Sequence, residues 1–322
     1  MSIQSNVKIV IPGDHPVQIA GSPHLARLDS YGEVVLYSDR PETLEEKVCR
    51  AKGADILMNT RGAVTWGVEE FHKLPSLKMI TSCSIGTDMF DLEAAHARGI
   101  VICNQPGRTA PVVAEHLFGL MFATAKRAAF LTAEMKVGRW PRMDNVMLQG
   151  KVLGIVGTGN IGAEMARLGN AIGMEVIAWT YHPSEARARD LGVRYVGLDA
   201  LLQTADVVSL HVKLTEDSRG WIGARELELM KQGAIIINGA RAGVMDTAAL
   251  VEALQSGHLG GAGIDVYDEE PVAPDHPLLF CEQVVLTPHC ADMTPEGVDL
   301  LNSGAVENVI AFLEDRPQNV VT

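Results

Sequence analysis

Residues 151–162, Lys-Val-Leu-Gly-Ile-Val-Gly-Thr-Gly-Asn-Ile-Gly, leave the chain few ways to fold. Val152–Val156 is apolar and rich in β-branched residues, the pattern of a strand buried on both faces. It runs directly into Gly157, Gly159 and Gly162. Helical apolar spacing follows at Ile161, Met165, Leu168 and Ile172. Strand, glycine turn and helix in that order are the context a dinucleotide fingerprint requires. Gly157 allows the tight turn, Gly159 lets a pyrophosphate approach the backbone, and Gly162 lets helix and strand pack closely. Asn160 and Ile161 open the helix, whose N–H groups and positive dipole end suit phosphates. A tight turn with no ligand is the competing reading, and the flanking strand and helix disfavour it.

The rest of the chain arranges itself around this unit. Short apolar runs at 7–12, 33–38, 55–59, 77–82 and 100–103 alternate with helical stretches at 41–52, 66–72 and 92–98, which predicts a first parallel α/β unit. Thr43 is an expected N-cap. Residues 110–135 read as one long helix, apolar on more than one face, suited to a domain or dimer interface. Further strands are expected at 175–180, 194–197, 206–212, 233–238, 261–266 and 284–287, then an amphipathic helix at 295–313. The predicted fold class is α/β, with two Rossmann-like, doubly wound parallel-sheet domains and a cleft between them. Residues 1–103 with 291–322 form the expected substrate domain, and 104–290 the dinucleotide-binding domain.

A net charge of −13 argues against nucleic acid or an anionic membrane as a partner. The five cysteines are odd in number and contain no C-x-x-C pair, so neither a disulfide framework nor a zinc knuckle is expected. The first eight residues lack a basic start and a signal-type apolar core, and no apolar run is long enough to span a membrane. These features predict a cytoplasmic protein with no resident metal.

In a doubly wound sheet, ligands bind beyond the carboxyl ends of the strands. The second predicted strand of the second unit ends at Thr180, and the fourth at His211, with Thr215 close behind. The fifth ends in Asn238-Gly239-Ala240-Arg241, the sixth in Asp265-Val-Tyr-Asp-Glu-Glu270-Pro, and the seventh in Thr287-Pro-His289. Arginine holds a carboxylate bidentately. Histidine exchanges a proton near neutral pH, and a neighbouring glutamate orients its ring. Arg241, His289 and Glu270 are thus an anchor, an acid/base and its partner, the parts needed to reduce a 2-keto acid.

At these residues the chain resembles the D-isomer-specific 2-hydroxyacid dehydrogenases of the phosphoglycerate dehydrogenase-like group. The motifs are Ser84-Ile-Gly-Thr-Asp88, Val113-Ala-Glu-His116, the glycine turn, residues 238–243, residues 265–271 and Thr287-Pro-His289. The resemblance implies that Arg241 binds the substrate's carboxylate and carbonyl, that His289 is the acid/base and that Glu270 is its partner. It implies that Ser84, Ile85 and Gly86 form a substrate loop, Ile85 and Gly86 offering N–H groups to the carboxylate. It also implies that Asp265 meets the nicotinamide amide, and that the chain is a homodimer with hinges near 103–109 and 290–295. The implied substrates are glyoxylate, hydroxypyruvate or phosphoglycerate. A dinucleotide-binding scaffold like the family's corepressor relatives is the alternative.

The chain departs from the pattern at several points. Thr180 stands where an acid usually binds the ribose diol, and no arginine follows at once; His182, Arg187 and Arg189 lie further on. NAD(H) and NADP(H) both stay open. Lys213 and Ala242 replace the family's usual proline and glycine, and Cys290-Ala291-Asp292 replaces glycines after the histidine. Asp292 and, in the first unit, Arg61 are each read equally as pocket or surface residues.

Overall fold

The computed structural model describes residues 7–62 and 64–322. The reading of the N-terminus as lacking a leader falls largely on residues 1–6, outside the described residues. The chain forms two compact units, Met1–Thr109 with Met293–Thr322, and Ala110–Asp292. The first crossing lies beyond residue 103 because the segment after it is tied to the first unit. Asn104 Nδ2 donates to the Ile85 carbonyl at 2.8 Å, and Gln105 Nε2 to that of Ser82 at 3.1 Å. The second crossing lies beyond residue 291 because the N–H groups of Cys290 and Ala291 bind the Asp265 carboxylate.

The first unit contains β1 (Val7–Ile11), β2 (Gly32–Leu36), α1 (Leu44–Ala51), β3 (Ile56–Asn59), α2 (Val68–Lys73), β4 (Met79–Ser82), α3 (Leu92–Ala97) and β5 (Val101–Cys103). Its five strands are parallel in the order β2-β1-β3-β4-β5, so the winding reverses beside β1. β3 and β4 are buried at every position, as strands covered on both faces must be. α1 begins where Thr43 accepts from Glu46 N–H, and α3 where Asp91 accepts from Ala94 N–H. Trp66, expected in a helix, instead bridges Phe90, and α2 starts at Val68.

The second unit opens with α4 (Ala110–Ala125) and α5 (Ala128–Lys136). This corrects the single helix expected over 110–135. Arg127 takes a left-handed backbone, φ 51°, which ends one helix and starts the next. α4 is buried along Val113, Leu117, Leu120 and Met121, whereas α5 buries none of its residues.

There follow β6 (Val152–Val156), α6 (Asn160–Ala171), β7 (Glu175–Trp179), α7 (Glu185–Leu191), β8 (Arg194–Tyr195), α8 (Leu198–Thr204), β9 (Val207–Leu210), α9 (Ala224–Leu229), β10 (Ile235–Asn238), α10 (Thr247–Gln255), β11 (Gly261–Ile264) and β12 (Val284–Leu286). All seven strands are parallel, in the order β12-β11-β10-β9-β6-β7-β8. The winding reverses between β6 and β9, which puts the glycine turn at the switch point.

The chain then returns to the first unit as α11 (Pro295–Leu313), capped by Thr294. Ala305, Val306 and Val309 enter the core around Ile9, Ile11 and Met58, and Leu301 is buried as well. The helix is more enclosed than an amphipathic one. Even its asparagines are buried: Asn302 Nδ2 donates to the Gln18 carbonyl at 2.9 Å, and Asn308 Nδ2 to that of Asn104 at 3.0 Å. No helix among the described residues is long and apolar enough to cross a membrane.

Candidate active site

The turn after β6 has the geometry its glycines suggest. Gly157 has φ 98°, which L side chains rarely adopt, and a Cβ there would lie 2.8 Å from the His211 carbonyl oxygen. A Cβ at Gly162 would lie 2.0 Å from the Gly157 carbonyl oxygen, so α6 closes onto the turn only with glycine there. A Cβ at Gly159 would meet nothing within 4 Å. Gly159 is the N-cap of α6, and Asn160 and Ile161 form the helix's first turn with Gly162. First-turn N–H groups have no partner within the helix and suit an anion.

Three neighbouring strands end in the candidate reactive groups. Arg241 follows β10, Asp265 and Glu270 follow β11, and His289 follows β12. His289 Nδ1 lies 2.7 Å from Glu270 Oε2, and Glu270 Oε1 accepts from Tyr267 N–H at 3.1 Å. A carboxylate only accepts, so Nδ1 carries the hydrogen and Nε2 is left to exchange a proton with a substrate. His289 has a left-handed backbone, φ 49°, a conformation that the surrounding structure must enforce. Arg241 is half-buried, with Nη1 donating to the Ala240 carbonyl at 2.7 Å.

Asp265 organises the loop that carries His289. Its carboxylate accepts from Thr287 Oγ1 at 2.6 Å, Cys290 N–H at 3.0 Å and Ala291 N–H at 3.2 Å. Burial pushes its pKa up, but the hydrogen bonds from His116, Thr287 and Cys290 outweigh this and hold it below the ordinary carboxylate value. Thr287 spends its single hydrogen on Asp265. His116 Nε2, 3.0 Å from Thr287 Oγ1, must therefore be the donor in that contact. His116, Asp265 and Cys290 have ligand atoms within 4.8 Å of one another, close enough for a metal set. A protonated imidazole nitrogen cannot ligate, so the donor chemistry here is that of a hydrogen-bond chain.

The remaining predicted residues fall as follows. Thr180 follows β7 directly and brings no carboxylate. His211, after β9, pairs with the Ser209 hydroxyl at 2.9 Å, and burial pushes its imidazole pKa down to about 3. It is neutral at working pH and provides no cation for a phosphate. Thr215 N–H is capped by Ser218 Oγ at 2.8 Å. Ala240 N–H donates to Asn238 Oδ1 at 3.0 Å, and a Cβ at Gly239 would press on Leu117.

Ser84, Ile85 and Gly86 belong to the first unit. Their carbonyls accept from Gln105 N–H, Asn104 Nδ2 and the Ser84 hydroxyl respectively. That arrangement uses the carbonyls of the loop and none of the described bonds uses its N–H groups at Ile85 and Gly86. Arg61 has φ 49°, and its N–H donates to Gln18 Oε1 at 2.9 Å. Asp292 is half-buried at the end of the second unit.

The sequence assigns no role to His116, and names Arg187 only as a cation further along the chain. His116 sits in the Val-Ala-Glu-His motif on α4, and its facing of Thr287 depends on how α4 packs over β11 and β12. Arg187, on α7, folds back so that Nη2 donates to the Thr158 carbonyl of the glycine turn.

Residues 118–291 match the model of the D-isomer specific 2-hydroxyacid dehydrogenase NAD binding domain. A glyoxylate reductase of Korarchaeum cryptofilum is 35% identical over 305 residues, covering 92% of each chain. The chain belongs to the D-isomer specific 2-hydroxyacid dehydrogenases. A D-3-phosphoglycerate dehydrogenase of Archaeoglobus fulgidus is 39% identical over 253 residues, 77% of this chain, and the match spans only about half (48%) of that longer protein. Among solved structures, an acyclic imino acid reductase in complex with NADPH and D-Arg superposes with a TM-score of 0.88 at 26% identity, covering 98% of this chain and 100% of its own. These relatives are reductases and dehydrogenases, which does not favour the scaffold alternative.

The family's nicotinamide cofactor fits the residues present. The open approach at Gly159, the first-turn N–H groups of α6 and the tight Gly157–Gly162 contact make a cradle for a pyrophosphate.

Proposed function

We propose that the chain is an NAD(P)-dependent oxidoreductase acting at C2 of a small D-2-hydroxy or 2-keto acid, of the glyoxylate, hydroxypyruvate or phosphoglycerate class. The observation that carries this reading is His289 Nδ1 fixed on Glu270 at 2.7 Å, beyond a sheet that also presents Arg241 and the glycine turn. Gly157, Gly159, Asn160, Ile161 and Gly162 hold the pyrophosphate. Thr180, His211, Thr215, Gly239, Ala240 and Asp265 complete the cofactor seat. Nicotinamide, when bound, supplies or accepts the hydride. In the reducing direction Arg241 holds the carboxylate and polarises the carbonyl. His289 Nε2–H then protonates the alkoxide oxygen as it forms, and Glu270 stabilises the imidazolium this requires. Ile85 and Gly86 are proposed to offer N–H groups to the carboxylate, in the loop that Ser84 opens.

Both cofactors are proposed to bind, since Thr180 carries no charge to repel a 2′-phosphate, and Arg187 is the cation proposed to meet one. The test is steady-state reduction of a 2-keto acid panel with NADH and NADPH. Turnover of at least one acid is expected, with Arg187→Ala losing affinity for NADPH more than for NADH. Dinucleotide binding without turnover of any acid would overturn the reading.

The same reading includes a homodimer and a cytoplasmic location. All five cysteines are unpaired with one another, as suits a reducing compartment. Beyond α5, Val137, Trp140 and Met147 are 64%, 72% and 62% exposed, apolar side chains suited to contact with a second copy. Sedimentation should give a dimer that Trp140→Lys weakens; a wild-type monomer would remove it.

A further inference from the structure

Three aromatic rings gather beside one another in the second unit. Trp179 ends β7, Tyr181 follows it, and Trp221 lies in the segment after β9. β7 and β9 are the two strands that flank β6, so the rings come from both sides of the strand that carries the turn. Tyr181 and Trp221 are nearly parallel, at 9° with centres 6.2 Å apart. Trp179 stands edge-on to both, 4.8 Å from Tyr181 at 71° and 4.6 Å from Trp221 at 64°. Trp179 and Trp221 also pack against the core, and so are anchored. Tyr181 is not: it is 58% exposed, and no described hydrogen bond uses its hydroxyl. An exposed tyrosine alone is unremarkable. This one is held in fixed orientation by two anchored indoles.

The position of the cluster names its occupant. The Trp179 carbonyl accepts from Gly157 N–H at 2.8 Å, so the cluster begins one hydrogen bond from the turn that cradles the pyrophosphate. From that turn a dinucleotide's adenosine half reaches out by one ribose. We propose that Tyr181 and Trp221 form an aromatic platform on which the adenine of the cofactor stacks. The inference rests on the dinucleotide reading above and goes beyond it in saying how the base is recognised. Stacking reads the face of a base and tolerates changes at its edge. The site should therefore hold the dinucleotide by a flat purine, with weak discrimination of its exocyclic groups.

The experiment is calorimetric titration of the full-length protein with NADH, NADPH and the hypoxanthine analogue of NADH. Tyr181→Ala should weaken both natural dinucleotides about tenfold or more, the range of base–aromatic stacking, while Tyr181→Phe should stay within about threefold of wild type. The hypoxanthine analogue should bind wild type within about threefold of NADH. Because Tyr181 is exposed, the variants should melt with wild type, and that measurement separates a lost stack from a lost fold. Unchanged affinity in Tyr181→Ala, or an analogue bound tenfold weaker than NADH, would overturn the platform while the dinucleotide reading stood. A wild-type protein that bound neither natural dinucleotide would overturn both.

Discussion

At the scale of single residues, the site works by hydrogen-bond direction. Glu270 accepts from His289 Nδ1, Thr287 donates to Asp265, and His116 donates to Thr287. Each acceptor is a carboxylate or an oxygen whose own hydrogen is already used, so the ring of His289 has one orientation and one exchangeable nitrogen. The left-handed backbone at His289 is held from behind by the two N–H bonds to Asp265. His289→Ala removes the proposed proton donor and leaves the glycine turn untouched. Turnover should fall about 10²–10⁴-fold, the usual contribution of a general acid, while dinucleotide affinity stays near wild type. Equal losses in turnover and in cofactor affinity, measured on the same preparation, would show that His289 is instead part of the cofactor seat.

At the scale of elements, the glycine turn and the strand ends were legible because each rests on local chemistry. A φ of 98° at Gly157 and the 2.0 Å approach at Gly162 can be met only by residues without a Cβ, so their spacing survives in the sequence. The break at Arg127 was not legible. Every residue around it tolerates a helix, and the left-handed residue is set by distant contacts: Val146 N–H on the Ala125 carbonyl, and Lys126 Nζ on the Val146 carbonyl at 2.7 Å. The return of Arg187 to Thr158 likewise depends on the path of the loop before α7. The turn yields a paired test. Gly162→Ala puts a methyl against backbone and should lower Tm by several degrees; Gly159→Ala meets nothing in the protein and should melt near wild type yet bind NAD(P)H at least about tenfold less tightly. Normal cofactor affinity in Gly159→Ala would mean that the pyrophosphate does not approach that backbone.

The end of β9 adds a pH dependence. Burial holds the folded-state pKa of His211 at about 3, against about 6.5 for an unfolded histidine. Between those values the unfolded chain takes up a proton that the folded one refuses. This contribution is fully favourable above about pH 6.5 and is lost as pH falls, at about 1.4 kcal/mol per pH unit inside the window. His211→Asn should flatten the fall in denaturant midpoint between pH 7 and pH 5; an unchanged slope would assign it to other groups.

At the scale of the whole molecule, the chain builds its first unit from both of its ends. The sheet comes from the N-terminal segment, and α11 arrives only after the entire second unit has been laid down. The sequence showed a helix at 295–313, but its partners could not be read from its own pattern, because Ala305, Val306 and Val309 share a core with Ile9, Ile11 and Met58 from the far end of the chain. Each unit has its own core, and the glycine turn, Arg241, Glu270 and His289 all lie in the second. Val309 is fully buried, so Val309→Asp places an unpaired carboxylate in the first unit's core at a cost on the order of several kcal/mol. If the units fold separately, this variant loses turnover of every 2-keto acid but still quenches its tryptophans on adding NAD(P)H, since the proposed cofactor seat lies within the second unit. Of the four tryptophans, Trp66 lies in the first unit, and Trp140, Trp179 and Trp221 lie in the second. A Val309→Asp protein that had lost the cofactor signal together with its activity would show that the second unit cannot hold its fold without the first.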